Sequence, residues 1–420
     1  MLLINYLMKK LLLALLLLPL TFYAQTPNGG RLALTGATIY TAPGAMPITD
    51  GVVVVENGKI TAVGNRQQTR IPAATPVLDC QGMVLMAGFW NCHVHFMEPK
   101  WNHADSLPVE QLNRQLNDMV NSRGFTHVFD LAALDYPNLL ALKARINKGE
   151  VNGPAMLTVG MPFVPPNGNP FYIEPLKLPE MSSAVAAVTY VTQQIKAGAD
   201  GIKVWSASPH AHQTVPMPLE ILKAASTTAH QFHKPVFAHP TADTGVTIAI
   251  EGGADILAHP SPDGYRPWGA AEIKRLQQHH IALIPTLKLF KFELERNKIE
   301  AATNPLMTTA LQQVGAYAKA GGEILFGTDV GYVPDYSTED EFTFLQEAGL
   351  SFDQILTALT TAPARRFGQA QHSGRIAKGM DADLVVLKAD PHMDIRHFSD
   401  VVYTIRLGKM MYDSRTMNDH

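Results

Sequence analysis

Cysteine is scarce in this chain, which has only Cys80 and Cys92 among its 420 residues. At most one disulfide bond can form, and this excludes a small scaffold held together by disulfides. We predict two free, buried thiols. Strand alternation turns Cys92 away from the face that His93 and His95 share, so we interpret it as a core residue.

Charge of either sign is also sparse. Charged residues make up 17% of the chain and the formal net charge is -3, so there is no basic surface of the kind that nucleic-acid binding requires. Hydrophobic residues make up 46%, which is typical of a soluble globular protein with a large core. We therefore expect no nucleic-acid partner.

Long apolar runs are absent after the amino terminus. There, a basic pair at residues 9–10 precedes an apolar stretch over residues 11–20, a pattern typical of an export signal over residues 1–24. A membrane span needs ~20 apolar residues, so we expect none in the mature chain. Ala24 suits a cleavage site and Phe22 does not, so cleavage and retention as an anchor both stay open. We expect a periplasmic or extracellular protein.

Short alternating strands mark both ends of the chain. In the amino-terminal part, Asn57-Gly58 predicts a hairpin between two such strands. The same pattern of short alternating strands occurs near the carboxyl terminus, where glycine-containing turns again join short apolar runs. We expect residues 25–85 and 373–420 to complete one small β-sandwich domain.

The middle of the chain alternates short apolar runs with longer helical stretches. After a first run that ends in NCHVHF come seven more: FTHVFDL, AMLTVGM, GIKVWSA, PVFAHP, DILAHP, ALIPTL and EILFGTD. This spacing fits βα units, and eight parallel strands close into a barrel whose active site forms at the carboxyl ends of the strands. The predicted fold class is therefore α/β, a (β/α)8 TIM barrel over residues 86–372 with the small β-sandwich beside it.

His93 and His95 stand two residues apart at the end of an apolar run, so both imidazoles point to the same face of a strand. That geometry suits one metal ion, although a core or surface strand can carry the same pair without binding anything. Further residues of metal-ligand type end later runs: Lys203, His239, His259 and Asp329. Because strand ends meet at one rim of a barrel, we expect all six side chains to lie together.

Several segments of the chain resemble the amidohydrolase superfamily, most closely its imidazolonepropionase-like and prolidase-like metal-dependent hydrolases. They are NCHVHF, RGFTHVFDL, GADGIKVW, KPVFAHPTADTGVTIAIEGGADILAHP, LFGTDVG, TTAPARRFG and SGRIAKGMDADLVVL. Together they span nearly the whole mature chain. The resemblance implies a (β/α)8 barrel with a β-sandwich built from both chain ends, and metal ions at the barrel mouth.

The resemblance also implies a binuclear site of divalent ions. Position by position, it makes His93, His95 and Asp329 ligands of one ion, and it gives the second ion to His239 and His259. Two zinc ions are expected, with manganese, iron or cobalt as alternatives.

Lys203 matches the carboxylated lysine of the family. A free ammonium cannot act as a metal ligand. The resemblance therefore implies that the amine reacts with carbon dioxide to form a carbamate, which would bridge both ions. A lysine paired with a carboxylate is the alternative, and a mononuclear site stays open.

These roles predict a hydrolytic reaction. A metal ion lowers the pKa of bound water from about 15.7 to about 7, so hydroxide becomes available at neutral pH. Asp329 would take the proton from that water and deliver it to a leaving nitrogen, without which an amide leaves poorly. We therefore expect a small-molecule amide as the substrate: a dipeptide, an N-acyl amino acid or a cyclic amide.

Substrate contacts are expected from the loops that follow the strands. The candidates are Tyr172, His210, His212, Tyr265, Arg266 and Tyr332, and for each the alternative is an ordinary exposed loop residue. Arg266 is favoured for an anionic group because guanidinium matches carboxylate geometry. His239 and His259 are each followed by proline where relatives carry a small residue, so no relative's substrate transfers directly.

Two other classes of function stay open. Lactone, phosphoester and deaminase chemistries share this scaffold and are the serious alternative. A non-catalytic relative that keeps the barrel as a binding module ranks lower, because such proteins typically lose ligands and this chain has kept them all. A homo-oligomer is compatible with the sequence.

Overall fold

The computed structural model of the chain describes residues 30–210 and 213–416. The expected export signal over residues 1–24 lies outside these residues, as does His212. None of the helices that the structure describes has the length and apolar character of a membrane span.

The amino-terminal part forms the first strands of a mixed sheet. Their bounds are Arg31–Ile39 for β1, Ile48–Glu56 for β2, Lys59–Asn65 for β3, Val77–Asp79 for β4 and Val84–Ala87 for β5. β2 and β3 form the hairpin that Asn57-Gly58 predicts, and both turn residues have positive φ, 52° and 78°. Such a turn matches the twist of the two strands, so the prediction is confirmed.

The middle of the chain supplies nine further strands. They are β6 (Phe89–Val94), β7 (Phe125–Asp130), β8 (Ala155–Thr158), β9 (Ile202–Trp205), β10 (Ala207–His210), β11 (Gln213–Pro216), β12 (Val236–His239), β13 (Ile256–Leu257) and β14 (Ala282–Leu283). β6, β7 and β8 form one parallel sheet, and β9, β12, β13 and β14 form another. β10 and β11 pair as an antiparallel hairpin, which the sequence did not predict.

Backbone hydrogen bonds join the two parallel sheets at both junctions. Phe163 donates to Lys203 O at 3.0 Å, which links the segment after β8 to β9. Residues 323–329, the eighth run of the predicted barrel, form only isolated bridges. They nevertheless bond both neighbours, since Leu325 donates to Leu283 O at 2.9 Å and Cys92 donates to Phe326 O at 2.7 Å. The carboxyl ends of the parallel strands therefore face one common region.

Helices alternate with these strands and cover their outer faces. Their bounds are α1 (Val109–Met119), α2 (Tyr136–Asn147), α3 (Ala184–Lys196), α4 (Leu219–Gln231), α5 (Asp243–Gly252), α6 (Ala270–Gln278), α7 (Leu287–Arg296), α8 (Pro305–Lys319), α9 (Glu339–Glu347), α10 (Phe352–Leu359) and α11 (Thr361–Arg366). One large cluster of buried side chains lies between helices and strands. A second cluster, which includes Trp90, Phe129 and Phe237, is built from the strands themselves. Cys92 belongs to it and is a free, buried thiol, as predicted.

The last strands return to the amino-terminal sheet. They are β15 (Leu384–Leu387), β16 (Val401–Arg406) and β17 (Lys409–Asp413), and the strand order is β17-β16-β15-β5-β1-β2-β3, with β4 paired to β1. β15 pairs antiparallel with β5, so both chain ends share one sheet. Cys80, the other free and buried thiol, lies in its core. The described fold is thus a mixed α/β architecture.

Candidate active site

All six predicted ligand residues line one cavity of about 490 Å³. Three lie on strands: His93 near the end of β6, Lys203 in β9, and His239 at the end of β12. The other three, His95, His259 and Asp329, lie in the segments that directly follow apolar runs. The structure therefore places the whole set at the carboxyl ends of the parallel strands.

The carboxylate of Asp329 lies at the centre of this group. Its Oδ1 is 2.8 Å from His95 Nε2 and 3.5 Å from His93 Nε2, and its Oδ2 is 3.8 Å from His259 Nε2. The ligand atoms of His93, His259 and Asp329 all lie within 4.8 Å of one another. Oδ1 is buried, and the described residues offer it no hydrogen bond. A cation would satisfy this oxygen.

Hydrogen bonds on the far side of two rings fix which nitrogen faces Asp329. His93 Nδ1 lies 3.2 Å from Ala258 O, a group that only accepts. His259 Nδ1 lies 2.6 Å from Thr286 Oγ1, whose hydroxyl donates to Pro285 O at 2.8 Å. Both Nδ1 atoms therefore donate, and each Nε2 of a neutral ring carries a lone pair. Lone pairs pointed at a carboxylate repel it unless a cation lies between them.

Burial keeps these imidazoles neutral. It lowers the pKa of His93, His239 and His259 well below the ordinary 6.5, and the charges of neighbours, Lys203 among them, lower it further. The neutral imidazole is the form that binds a metal ion. The three histidines are therefore ready to act as ligands at neutral pH.

Lys203 and His239 are the remaining two residues of the predicted ligand set, and both line the same cavity. The His239 ring centroid is 4.7 Å from that of His259, and it stacks on Trp205 at 5.1 Å. Lys203 is only 2% exposed. Burial lowers the pKa of its amine to about 7, against the opposing charge of Asp329. Near neutral pH, a large fraction of this amine is consequently unprotonated.

The amino-terminal end of α7 lies between His259, one of the predicted ligands, and the cavity-lining residues of this helix. Thr286, which contacts His259, directly precedes this helix and has a left-handed backbone with φ of 45°. The buried carboxyl of Glu341, whose pKa burial raises to about 8, accepts a hydrogen bond from Lys288 N at 2.8 Å. The first turn of α7 is thereby anchored, and this helix presents to the cavity Leu289, Phe290 and Glu293.

Close backbone approach explains the glycine that ends the GTDVG segment. Asp329 itself has a left-handed φ of 57°, and Gly331 has a φ of 98°. A Cβ at Gly331 would lie 1.8 Å from the carbonyl oxygen of His95. Only glycine allows the segment of Asp329 to lie this close to that of His95.

We expect Gly331→Ala to lower the free energy of unfolding by about 2–5 kcal/mol, because backbone strain and steric overlap both oppose the new methyl group. Gly349→Ala is the matched control. Gly349 has a similar φ of 91° with no atom within 4 Å of the added Cβ, so only the ~1–2 kcal/mol of backbone strain applies. Urea unfolding of both metal-free variants measures the difference, and equal losses would show that the contact with His95 is unimportant.

The six predicted substrate contacts are placed differently from one another. Tyr172 lines the cavity. Tyr332 lines the cavity, where its hydroxyl donates to Glu293 Oε1 at 2.7 Å. His210, Tyr265 and Arg266 are not among the described residues that line it. Arg266, the favoured anion contact, is 78% exposed in its side chain and lies 3.6 Å from an Asp243 carboxylate oxygen. His212 lies in the gap between the described ranges.

Sequence reasoning missed most of the residues that form the cavity wall. Glu293 is one of them, and the others are mainly apolar: Phe171, Ile173, Leu176, Leu178, Leu289 and Phe290. For α7, the sequence contained a pattern that could have predicted the contribution to the cavity. The first turns of this helix follow a strand end directly, and they carry Leu289, Phe290 and Glu293 on neighbouring positions of one face. No periodicity marks the four residues of the loop after β8.

Similarity to known proteins identifies the family of the chain. Residues 84–413 match the amidohydrolase family. The ochratoxinase of Aspergillus niger is 25% identical over 370 residues, covering 78% of this chain and 75% of the relative. A 5-methylthioadenosine/S-adenosylhomocysteine deaminase of Desulforamulus reducens is 25% identical over 441 aligned positions, 92% of each chain.

A solved structure shares the fold. A Xaa-Pro dipeptidase with methionine bound in its active site aligns with a TM-score of 0.78 at 19% identity, covering 91% of this chain and 100% of the other. The resemblance inferred from the sequence motifs is thus confirmed. The chain belongs to the amidohydrolase family and is a hydrolase that acts on carbon–nitrogen bonds of small-molecule substrates.

Proposed function

We propose that the chain is an exported, metal-dependent enzyme that hydrolyses an amide bond in a dipeptide, an N-acyl amino acid or a cyclic amide. One observation carries the proposal: ring nitrogens of His93, His95 and His259 converge on the carboxylate of Asp329 inside a single cavity. Export is proposed from the basic and apolar segment at the amino terminus. The two parallel sheets and residues 323–329 are proposed to form one (β/α)8 barrel.

The donor set fits a divalent metal ion. Asp329 Oδ1 is buried without a hydrogen bond from any described residue, and so is His95 Nδ1. Imidazole nitrogens and a carboxylate are ligands that zinc and related ions accept. We propose His93, His95 and Asp329 as ligands of one ion, and His239 with His259 as ligands of a second. Zinc is proposed first, with manganese, iron or cobalt as alternatives.

Lys203 is proposed to be carboxylated. An amine whose pKa is about 7 is about half unprotonated at neutral pH, and the unprotonated nitrogen is the form that attacks carbon dioxide and releases a proton. The product is a carbamate, whose oxygens would be available to both proposed metal ions. A buried ammonium without a paired carboxylate is costly, so conversion to a ligand relieves that cost.

The residues of the proposed site then have defined parts in the reaction. A divalent ion held here supplies a Lewis acid for the scissile carbonyl and a water of lowered pKa. Asp329 accepts a proton from the attacking water at its carboxylate and passes it to the leaving nitrogen. Ala258 and Thr286 orient the rings of His93 and His259, and the apolar cavity wall excludes bulk water.

Metal content tests this proposal directly. Protein made with added zinc or manganese is expected to retain at least one divalent ion per chain, and chelation is expected to abolish amide hydrolysis. His239→Asn is expected to reduce both metal content and activity, whereas His233→Asn, at an exposed position with a φ of 56° that asparagine tolerates, leaves both unchanged. Elemental analysis and a dipeptide and N-acyl amino acid library provide the readouts.

Three results would contradict the proposal. Purified protein that holds no divalent ion excludes the metal site. Full activity of His239→Asn toward every amide excludes the role of that ligand. Release of ammonia from an aminopurine nucleoside, with no amide cleaved, would replace amide hydrolysis by deamination on the same site.

A further inference from the structure

Two separate elements contribute apolar side chains to the lining of the active-site cavity. One is the loop between β8 and α3, which contributes Phe171, Ile173, Leu176 and Leu178. The other is the first turns of α7, with Leu289 and Phe290. These residues line the same cavity as the six predicted ligand residues, and the ring centroid of Phe290 is 6.5 Å from that of His259.

The loop is held in shape by a buried asparagine. Asn169 is 3% exposed. Its side-chain amide donates to Leu176 O at 3.0 Å, and its side-chain oxygen accepts from Leu178 N at 3.0 Å. His210 Nδ1 lies 2.8 Å from the backbone carbonyl of Asn169 and donates to it. This clasp fixes the loop backbone, so the apolar side chains are positioned before a substrate arrives.

Exposure differs along this wall in a way that indicates a ligand. Leu178, Leu289 and Phe290 are at most 8% exposed, whereas Phe171 and Leu176 are 53% and 54% exposed. Single exposed apolar residues are ordinary on a protein surface. Here, however, two of them stand on one clasped loop and line the same cavity as Asp329, and exposed apolar side chains that line a cavity are typical of a ligand site.

We propose that these six residues form a subsite for a bulky apolar substituent of the amide substrate, an aromatic ring or a branched or extended alkyl group. The proposal rests on the proposed amide hydrolysis and deepens it. The cavity of about 490 Å³ holds such a group together with the scissile bond, since ligand pockets typically measure ~300–1,000 Å³. The substituent covers Phe171 and Leu176, which the fold alone leaves in water.

Two series of amides test the subsite with metal-loaded enzyme. In one, the amine is constant and the acyl group grows from acetyl through butanoyl and hexanoyl to phenylacetyl. In the other, the acyl group is constant and the amine grows. We expect kcat/KM to rise about fourfold for each buried methylene group, about 0.8 kcal/mol, in one of the two series. A flat response in both series would overturn the subsite.

Variants locate the effect on the loop. Phe171→Ala and Leu176→Ala are each expected to lower kcat/KM about tenfold for the bulkiest good substrate and to lower it much less for the acetyl member. Val185→Ala, at a 77% exposed position on α3 outside the cavity lining, is the control and is expected to change neither. Equal losses on small and bulky substrates would show that the loop is only structural, and this would also overturn the proposal.

The two series of amides also distinguish a failure of the apolar subsite from a failure of amide hydrolysis. Cleavage of small and bulky amides at equal rates contradicts the apolar subsite and leaves amide hydrolysis in place. If metal-loaded enzyme cleaves no member of either series, amide hydrolysis itself fails, and the subsite fails with it.

Discussion

Asp329→Asn is expected to lower kcat/KM for every amide substrate by about 10²–10⁴-fold, the usual contribution of a positioned acid–base group. The carboxylate faces three imidazoles at 2.8, 3.5 and 3.8 Å, so it is placed both to bind a cation and to move a proton. Asparagine keeps the shape and can still offer one oxygen, but it cannot carry the proton to the leaving nitrogen. Steady-state kinetics with metal-saturated variant measure the loss.

The loss must be separated from misfolding and from a missing ion. Thermal unfolding and elemental analysis of the same preparation provide that separation, and Asp105→Asn, at an exposed carboxylate outside the cavity lining, is the matched control. We expect D329N to unfold cooperatively, because Oδ1 makes no hydrogen bond within the described residues. A metal-loaded D329N variant with wild-type kcat would exclude Asp329 as the proton carrier.

The grouping of the six candidate residues in one cavity was predictable because a simple rule governs their positions. His93, His239 and Asp329 each follow an apolar run, and parallel strands present their carboxyl ends to one side of the sheet. The rule does not depend on the lengths of the intervening helices. For this reason the sequence indicated the grouping without any information on packing.

The eighth run shows where the rule weakens. Residues 323–329 make backbone bonds to both neighbours but form isolated bridges in place of a regular strand. Asp329 has a φ of 57°, which no regular strand contains. The departure brings its carboxylate toward His95, and the sequence gives only the nearby glycines as a sign of it.

Loop residues were harder to predict because sequence proximity to a ligand does not measure distance from the cavity. Arg266 stands seven positions after His259, yet the turn at Pro262–Gly264 and the left-handed Tyr265, with a φ of 51°, lead the chain away from the cavity. Phe171 lies far from any ligand in sequence but borders the cavity. The clasp of Asn169 that places it combines local and long-range hydrogen bonds, which leave no periodic pattern.

Lys203→Met is expected to remove the proposed carbamate and to change the pH dependence of stability. In metal-free protein, the pKa of Lys203 is about 7 when folded, against an ordinary value of 10.5. Between these values the unfolded chain binds the proton and the folded chain does not, so wild-type stability rises with pH by up to ~1.4 kcal/mol per unit. Below about pH 7 the amine is charged in both states, and the full cost of burying it applies. K203M lacks this rise, and urea unfolding from pH 7 to 10 measures it.

The metal-loaded variant distinguishes a ligand from a merely buried lysine. If the carbamate bridges two ions, K203M retains at most one ion per chain and loses most of its amide hydrolysis, although its metal-free form is no less stable near pH 7 than the wild type. Lys234→Met, at a partly exposed lysine 3.9 Å from an Asp200 oxygen, is the control and keeps metal and activity. Two ions and full activity in K203M would exclude the carbamate, because methionine cannot react with carbon dioxide. An unchanged pH slope would instead show that the depressed pKa belongs to another group, since the variant has no amine at this position to titrate.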